Sequence, residues 1–193
     1  KQAIEMLYKA LETETDNIEI LSKIGELYFL LNNYTRANQY FEKVLQIDEN
    51  HENTLKLTKI IKEREGDFDT VLSVSQRLFD NKPNSENLKE LVKILINLKL
   101  FCEIDKYKDS QYFTSDVKIE CAKAFYENGE IERAKELLST CDADDENVLL
   151  LEGKIKFDEN DFETAQEIFS KIGRNSQNPE ILNFLGLFDL ENM

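Results

Sequence analysis

The residues best suited to chemistry in this 193-residue chain are one histidine, three cysteines and a run of acidic side chains. His51 is the only histidine, so a histidine-dependent acid–base or nucleophilic mechanism would have to rely on it alone. It lies between two helical patterns, where we expect a surface histidine in a loop. The sequence contains no phosphate-binding glycine loop and no Gly-x-Ser-x-Gly motif. We therefore predict that the protein is not an enzyme.

The cysteines and the acidic run do not match metal-binding spacings. Cys102, Cys121 and Cys141 are far apart, whereas zinc sites use close cysteine pairs or histidines. Counted from Asp142, the acidic run lacks the glycine at the sixth position and the glutamate at the twelfth that an EF-hand loop needs. We predict neither a metal nor a cofactor, and we interpret Cys121 and Cys141 as small apolar residues of the core.

The net charge of −15 limits the class of partner. Nucleic-acid backbones and anionic membrane surfaces are bound largely by basic residues, so neither suits this chain. No run reaches the roughly 18 apolar residues of a membrane span. We predict a cytoplasmic protein with reduced thiols that binds no nucleic acid and does not insert into a membrane. We interpret the excess acid as a solubility feature, although it also suits a basic partner.

A pattern of thirty-four residues organises the rest of the sequence. Its most regular example is residues 18–51, in which two apolar patterns of helical period flank a polar break at Asn32-Asn33. The same residue types return at near-constant spacing along the chain. Two helices in each period of this length are typical of a solenoid, so we predict an all-α stack of helical hairpins.

We predict a single array over residues 1–193. Its units are the second helix of a truncated repeat at 1–17, repeats at 18–51, 52–85, 86–114, 115–145 and 146–178, and the first helix of a further repeat at 179–193. The repeat at 86–114 is irregular. We interpret Ser85 as the N-cap of its first helix and predict a short second helix around Cys102–Lys108, with a distortion of the stack there.

Small and aromatic residues recur at fixed positions of the period. They are Gly25, Tyr28, Ala37 and Phe41 in the first complete unit, then Ala122, Phe125 and Ala134, then Gly153, Ala165 and Phe169. This pattern resembles the tetratricopeptide repeat, which has small residues at positions eight and twenty and aromatic ones at eleven and twenty-four. The chain departs from that family in having no tryptophan, and Lys59 and Lys93 replace the small residue at position eight, so we expect looser packing there. Another α-hairpin solenoid is the alternative, and an RNA-binding pentatricopeptide array would suit this acidic chain poorly.

The resemblance implies a right-handed superhelix whose first helices line a concave binding groove. The groove residues that it implies are Glu19, Ser22, Glu26, Phe29, Lys56, Ile60, Ile94, Lys123, Tyr126, Leu150, Lys154 and Phe157, accompanied by Ile119 and Asn147. This mixture of apolar and charged side chains suits an amphipathic helix or an extended peptide. Several of these residues could instead pack against neighbouring hairpins. The set does not reproduce the family's carboxylate clamp, so we do not expect binding of chaperone tails.

We predict that the protein is a non-catalytic scaffold or adaptor that binds a peptide or helical segment of a protein partner. Two alternatives stay open. An apolar final half-unit could mediate self-association, because no covering helix follows it; its residues are Leu182, Phe184, Leu185, Leu187 and Phe188. The chain also begins inside a helical pattern at Lys1, so we expect it to be part of a longer protein and keep a regulatory or docking segment as the other alternative.

Overall fold

The structure is a computed structural model that describes residues 2–173 and 178–191, with the side chains of residues 4–173 and 178–187. Every regular element in these residues is helical. The α-helices are α1 (Gln2–Thr13), α2 (Ile18–Leu30), α3 (Tyr34–Ile47), α4 (Glu52–Glu65), α5 (Phe68–Asn81), α6 (Ser85–Asn97), α7 (Phe101–Ile104), α8 (Ser115–Glu127), α9 (Ile131–Leu138), α10 (Glu146–Asp158), α11 (Phe162–Ile172) and α12 (Pro179–Glu191).

The chain forms two compact units, which divide between Leu98 and Lys99. In the N-terminal unit α2 packs with α3, α4 with α5, and α5 with α6. In the C-terminal unit α8 packs with α9, α10 with α11, and α11 with α12. Each unit is thus built from successive helical hairpins, and the prediction of one continuous array over the whole chain stays a prediction.

Each hairpin turns at a residue in the left-handed conformation. The residues with positive φ at these turns are Asn32, Gly66, Lys99, Gly129 and Asn160. Glycine and asparagine adopt this conformation most readily, and it lets the backbone close the first helix and enter the second. Lys99 has φ +56° without that advantage, and it opens the least regular hairpin.

Polar side chains set the starts of most helices. Asn17, Asn33, Asp67 and Asp161 each accept a hydrogen bond from a backbone N–H in the first turn of the helix that follows. The interpretation of Ser85 as an N-cap is wrong. Asn84 caps α6 by accepting from the Asn87 N–H at 2.9 Å, and Ser85 is already the first helical residue because the extended backbone ends one residue earlier.

Two of the hairpins close by packing an aromatic ring against a glycine. Phe41 of α3 lies against Gly25 of α2, and Phe169 of α11 lies against Gly153 of α10. Both rings are almost fully buried. A β-carbon on Gly153 would stand 2.7 Å from the Phe169 ring, so the close approach of the two helices requires the missing side chain.

Helix α1 is joined to the first hairpin by tyrosines. The Tyr8 hydroxyl is hydrogen-bonded to the Tyr28 hydroxyl at 2.9 Å and accepts from the Tyr40 hydroxyl at 3.0 Å. Arg36 donates to the Tyr28 hydroxyl at 2.9 Å. The hydrogen bond with Tyr8 and, to a lesser degree, the one from Arg36 lower the pKa of Tyr28. The network fixes the orientation of α1 on α2 and α3.

In the irregular hairpin, α7 has only four residues and continues into a 3-10 helix at Asp105–Tyr107. Arg133 of α9 fastens this short segment by donating to Asp105 at 2.8 Å and to the Phe101 carbonyl at 3.3 Å. The same guanidinium lies 4.0 Å from the centre of the Phe125 ring. Apolar contacts hold the segment as well, since Ile104 is fully buried and the Phe101 ring packs edge-on against Phe125 at 5.6 Å between centroids.

The glycine–ring contact predicts a large difference between two glycine substitutions in the C-terminal unit. Gly153→Ala should lower the free energy of unfolding by about 1–3 kcal/mol, because the new methyl group overlaps the Phe169 ring. Gly186→Ala is the matched control. It lies in α12 with no atom of the described side chains within 4 Å of an added β-carbon, so it should raise the free energy of unfolding by about 0.5–1 kcal/mol. Urea unfolding followed by circular dichroism measures both, and equal effects would contradict the packing argument.

Candidate functional site

The single histidine has a structural role in this fold. His51 is the N-cap of α4, where its Nδ1 accepts from the Thr54 backbone N–H at 3.3 Å and is hydrogen-bonded to the Thr54 hydroxyl at 2.8 Å. An imidazole in this position replaces the usual Ser, Thr, Asp or Asn cap. The ring nitrogen that would act as a base is therefore engaged by the helix.

The cysteines lie in three different environments. Cys121 is fully buried in α8, and burial raises the pKa of its thiol to about 12. Cys141 is half-buried and Cys102 is exposed. A buried thiol with a raised pKa is inert as a nucleophile. Among the residues that the structure describes, no group of three histidine, cysteine or carboxylate side chains could hold a metal ion.

A cleft in the C-terminal unit brings together six of the side chains that the family resemblance placed in a groove. They come from α8 and α10 and are Ile119, Lys123, Tyr126, Asn147, Leu150 and Lys154. Glu127, Leu151 and Glu180 complete the lining of a space of about 90 Å³. The space is small and opens to solvent, as expected of a surface groove between two stacked helices.

Charged and polar side chains with defined hydrogen-bond partners surround an apolar floor in this cleft. Lys154 donates to Glu180 at 2.5 Å, and this bond and, to a lesser degree, the charge of Lys123 lower the pKa of Glu180. The Tyr126 hydroxyl donates to Asp158 at 2.6 Å. Burial, followed by that hydrogen bond, raises the pKa of Tyr126 to about 12, so its hydroxyl stays protonated at neutral pH. Lys123 remains exposed at the rim.

A second cleft lies within the N-terminal unit, between α4, α5 and α6. Its volume is about 380 Å³, and it contains Lys56 and Ile60 from the predicted set. Lys59 of α4 donates to Glu90 of α6 at 3.0 Å across this cleft. Burial acts to raise the pKa of Glu90, but hydrogen bonds from Lys59 and Lys93 outweigh it and the pKa is lowered.

Sequence reasoning did not identify Ser75 as a residue of this second cleft. Ser75 is 2% exposed, and its hydroxyl has no hydrogen-bond partner. The signal was available, since Ser75 follows Phe41 by one repeat length of thirty-four residues, as Lys59 follows Gly25. The repeat therefore has a long side chain at the usual glycine position and a short one at the usual ring position.

Other residues of the predicted set contribute to packing. Ser22 and Ile94 are 5% and 7% exposed, which leaves little surface for a ligand. The Phe29 ring packs edge-on against Tyr34 at 5.6 Å between centroids, and the Phe157 ring contacts Phe162 and Phe184, each at 5.2 Å.

The two remaining members of the set are glutamates on α2. Glu19 is exposed, and Glu26 accepts from Lys23 at 2.7 Å and from Asn53 at 2.6 Å. The structure therefore does not place Glu19, Ser22, Glu26 or Phe29 in either of the two clefts.

Comparison with known proteins places the first complete hairpin in a known family. Residues 18–51 match the family model described as tetratricopeptide repeat. No helix within the described residues has the length and apolar character that a membrane crossing requires. A search of curated proteins gives no match.

Several solved structures share the fold at low sequence identity. YrrB, described as a TPR protein with an unusual peptide-binding site, is 13% identical with a TM-score of 0.62, over 93% of this chain and 97% of that one. The Naa15/Naa10 structure bound to HypK-THB is 15% identical with a TM-score of 0.68, over 97% of this chain and 31% of that one. Yeast Tom70 is 19% identical with a TM-score of 0.54, over 100% of this chain and 43% of that one. The predicted fold class, an all-α array of tetratricopeptide-like helix pairs, is confirmed.

The capping role of His51 predicts how substitutions at this position behave. His51→Ala should lower the free energy of unfolding by about 0.5–2 kcal/mol, because the Thr54 N–H loses its acceptor. His51→Asn, the control, should stay close to the parent protein, since an asparagine carbonyl accepts the same bond. Thermal unfolding measures both, and a tolerated alanine would contradict the capping role.

The packing of Phe157 predicts that it is a structural residue. Phe157→Ala should lower the free energy of unfolding by about 1–3 kcal/mol, because two ring contacts of a partly buried side chain are lost. Lys123→Ala, at the exposed rim of the same unit, should change it by no more than about 0.5 kcal/mol. Urea unfolding measures the free energy of unfolding of both variants. If Phe157→Ala does not lower it, the ring has no structural role and is available to a ligand in the groove.

Proposed function

We propose that this chain, a tetratricopeptide-repeat protein, uses the cleft of its C-terminal unit to bind an amphipathic segment of a protein partner. Its fold is that of protein-interaction scaffolds, and such repeat proteins typically have no catalytic activity. The main support for binding at this cleft is that four groove residues line it together: Lys123, Tyr126, Leu150 and Lys154. Peptide binding in the similarly folded YrrB, described as a TPR protein with a peptide-binding site, supports a ligand of this class.

The chemistry of the cleft favours a particular kind of peptide. The apolar floor, which includes Leu150 and the almost fully buried Leu151, suits an aliphatic or aromatic anchor side chain. Lys123 at the rim suits an acidic side chain next to that anchor, since it is an exposed cation in a chain of net charge −15. Both helices that line the cleft are formed before binding, so the protein loses little conformational entropy when the ligand enters.

Self-association is a second candidate function, and the end of the C-terminal unit favours it. Leu182 and Leu187 of α12 are 44% and 48% exposed, whereas Ile181 and Leu185 of the same helix are buried. Exposed leucines on a terminal repeat helix suit pairing with another apolar surface. The predicted contribution of Phe188 lies outside the described side chains. A molar mass from light scattering that stays monomeric at every concentration would exclude this candidate.

Charge reversal at the rim tests the proposed peptide site. A library of displayed peptides is selected on the parent protein, and the enriched sequences should combine an apolar anchor with an acidic residue. Lys123→Glu should weaken their binding several-fold, since an exposed ion pair contributes about 0.2–1 kcal/mol and the reversed charge adds a repulsion of similar size. Calorimetric titration gives the affinities.

The matched control is Lys171→Glu, an exposed lysine of α11 in the same unit, which makes the same change in net charge. The control should bind as the parent protein does. Equal affinity of the two variants would contradict binding at this cleft, and a selection that enriches no peptide would contradict the proposed function.

A further inference from the structure

Helix α12 has the residue types of the first helix of a hairpin, and one side of it is uncovered. Gly186 lies at the same position of its repeat as Gly153. The Phe169 ring of α11 packs against Gly153, whereas no atom of the described side chains lies within 4 Å of a β-carbon added at Gly186. The position that receives a ring from the second helix of a hairpin is therefore open in α12.

Leu182 marks the same open side, because it lies one helical turn before Gly186. It is 44% exposed. The leucines at the same position of three other repeats are no more than 8% exposed, and they are Leu21, Leu55 and Leu149. The opposite side of α12 is packed, since Ile181 is fully buried in the cluster with Phe169 of α11. The missing contact is thus limited to the side that a second helix covers in a complete hairpin.

Helix α1 is the complementary case, because it has the residue types of a second helix. Leu7 and Ala10 lie one repeat length before Phe41 and Val44 of α3. Phe41 and Val44 are 1% and 0% exposed, whereas Leu7 and Ala10 are only half-buried. The side of α1 that a first helix covers in a complete hairpin is therefore partly open.

Met6 shows which way this open side of α1 faces. It is 72% exposed and lies one repeat length before Tyr40. In the first hairpin the Tyr40 ring stacks on Tyr28 of α2, at 5.9 Å between centroids. The position of Met6 is thus one that contacts the first helix across a hairpin. A methionine is flexible and adapts readily to an apolar surface.

The two open sides also match in size. Helix α12 has a glycine at the small position, and α1 has Leu7 at the ring position. The fourth repeat shows that a leucine is compatible with a closed hairpin, because Ala122 and Leu138 occupy these two positions and are 0% and 2% exposed. Leu7 against Gly186 would therefore bury both without overlap.

We propose that α12 of one copy of this chain packs against α1 of a second copy, so that the two helices form a hairpin between molecules. Leu7 lies opposite Gly186 in this contact, and Met6 and Leu182 are covered by it. The contact joins two different surfaces, so each copy keeps one free end and association continues into linear chains. The inference rests on the self-association candidate above and names the surface that receives α12.

The test starts from the mass of the full chain, measured by light scattering and sedimentation over a series of concentrations. The parent protein should pass the mass of a dimer without a plateau. Met6→Glu and Leu182→Glu each place a carboxylate in one of the two surfaces, and each should weaken self-association by about tenfold or more. Both side chains are exposed in a single copy, so the variants should keep the helical circular dichroism of the parent.

Mixing the two variants distinguishes this contact from a pairing of α12 with itself. Met6→Glu keeps an intact α12 and Leu182→Glu keeps an intact α1, so an equimolar mixture should form a complex that stops at the mass of a dimer. A mixture that stays monomeric would overturn the proposal, as would Met6→Glu that associates like the parent.

Leu187→Glu is the matched control, because it makes the same change in the same helix at a side chain that is 48% exposed. Leu187 lies at the repeat position of Lys154, which lines the C-terminal cleft, and not on the side of Leu182. This variant should associate as the parent does. A loss equal to that of Leu182→Glu would contradict the proposed contact.

Nuclear magnetic resonance of the ¹⁵N-labelled parent gives a measurement that needs no variant. Dilution should shift amides of α1 and α12 together. Shifts in α12 without α1 would overturn this inference and leave the self-association candidate standing, whereas a parent that is monomeric at every concentration would overturn both. The proposed peptide cleft is tested separately by Lys123→Glu.

Discussion

The contact between a glycine and an aromatic ring across two of the hairpins, α2–α3 and α10–α11, is the constraint on which their packing depends. Phe41 against Gly25 and Phe169 against Gly153 bring two helices to a distance that no larger side chain would permit. Burial of each ring contributes about 1.5–3 kcal/mol, and the contact also fixes the rotation of one helix about the other. Once that rotation is set, the outer faces of the first helices have a defined order of side chains. Binding surfaces follow from the packing of the hairpin.

Two parts of the chain depart from this contact, one at Lys59 and Ser75 and the other at the short α7. In the next hairpin a long side chain, Lys59, takes the glycine position and a short one, Ser75, takes the ring position. Both helices of this hairpin are formed, and a recess lies beside them. The expectation of looser packing at Lys59 thus corresponds to a defined space with an ion pair and an unpartnered hydroxyl. The short α7 is held differently, because Arg133 of α9 donates hydrogen bonds to Asp105 and to the Phe101 carbonyl. In both places the residues differ from the regular repeat pattern, while the succession of helices along the chain is kept.

The two clefts differ in chemical character. The C-terminal cleft is lined by two lysines and two glutamates around an apolar floor, and the N-terminal cleft by two lysines and three glutamates. The C-terminal lining is therefore balanced in charge, and the N-terminal lining has one more carboxylate than it has lysines.

The sequence by itself determined the helical repeat, its period and the resemblance to the tetratricopeptide repeat, because apolar periodicity and the small–aromatic positions act locally and recur. It also located the irregular hairpin, since a short polar segment cannot form a full second helix. Tertiary structure alone decided which groove positions remain available. Phe157 and Lys123 are both groove positions by the family pattern, yet Phe157 packs against two rings and Lys123 reaches solvent. The recess at Ser75 likewise depends on Lys59, which lies across the hairpin. A small side chain leaves a cavity only when the side chain opposite does not fill the space.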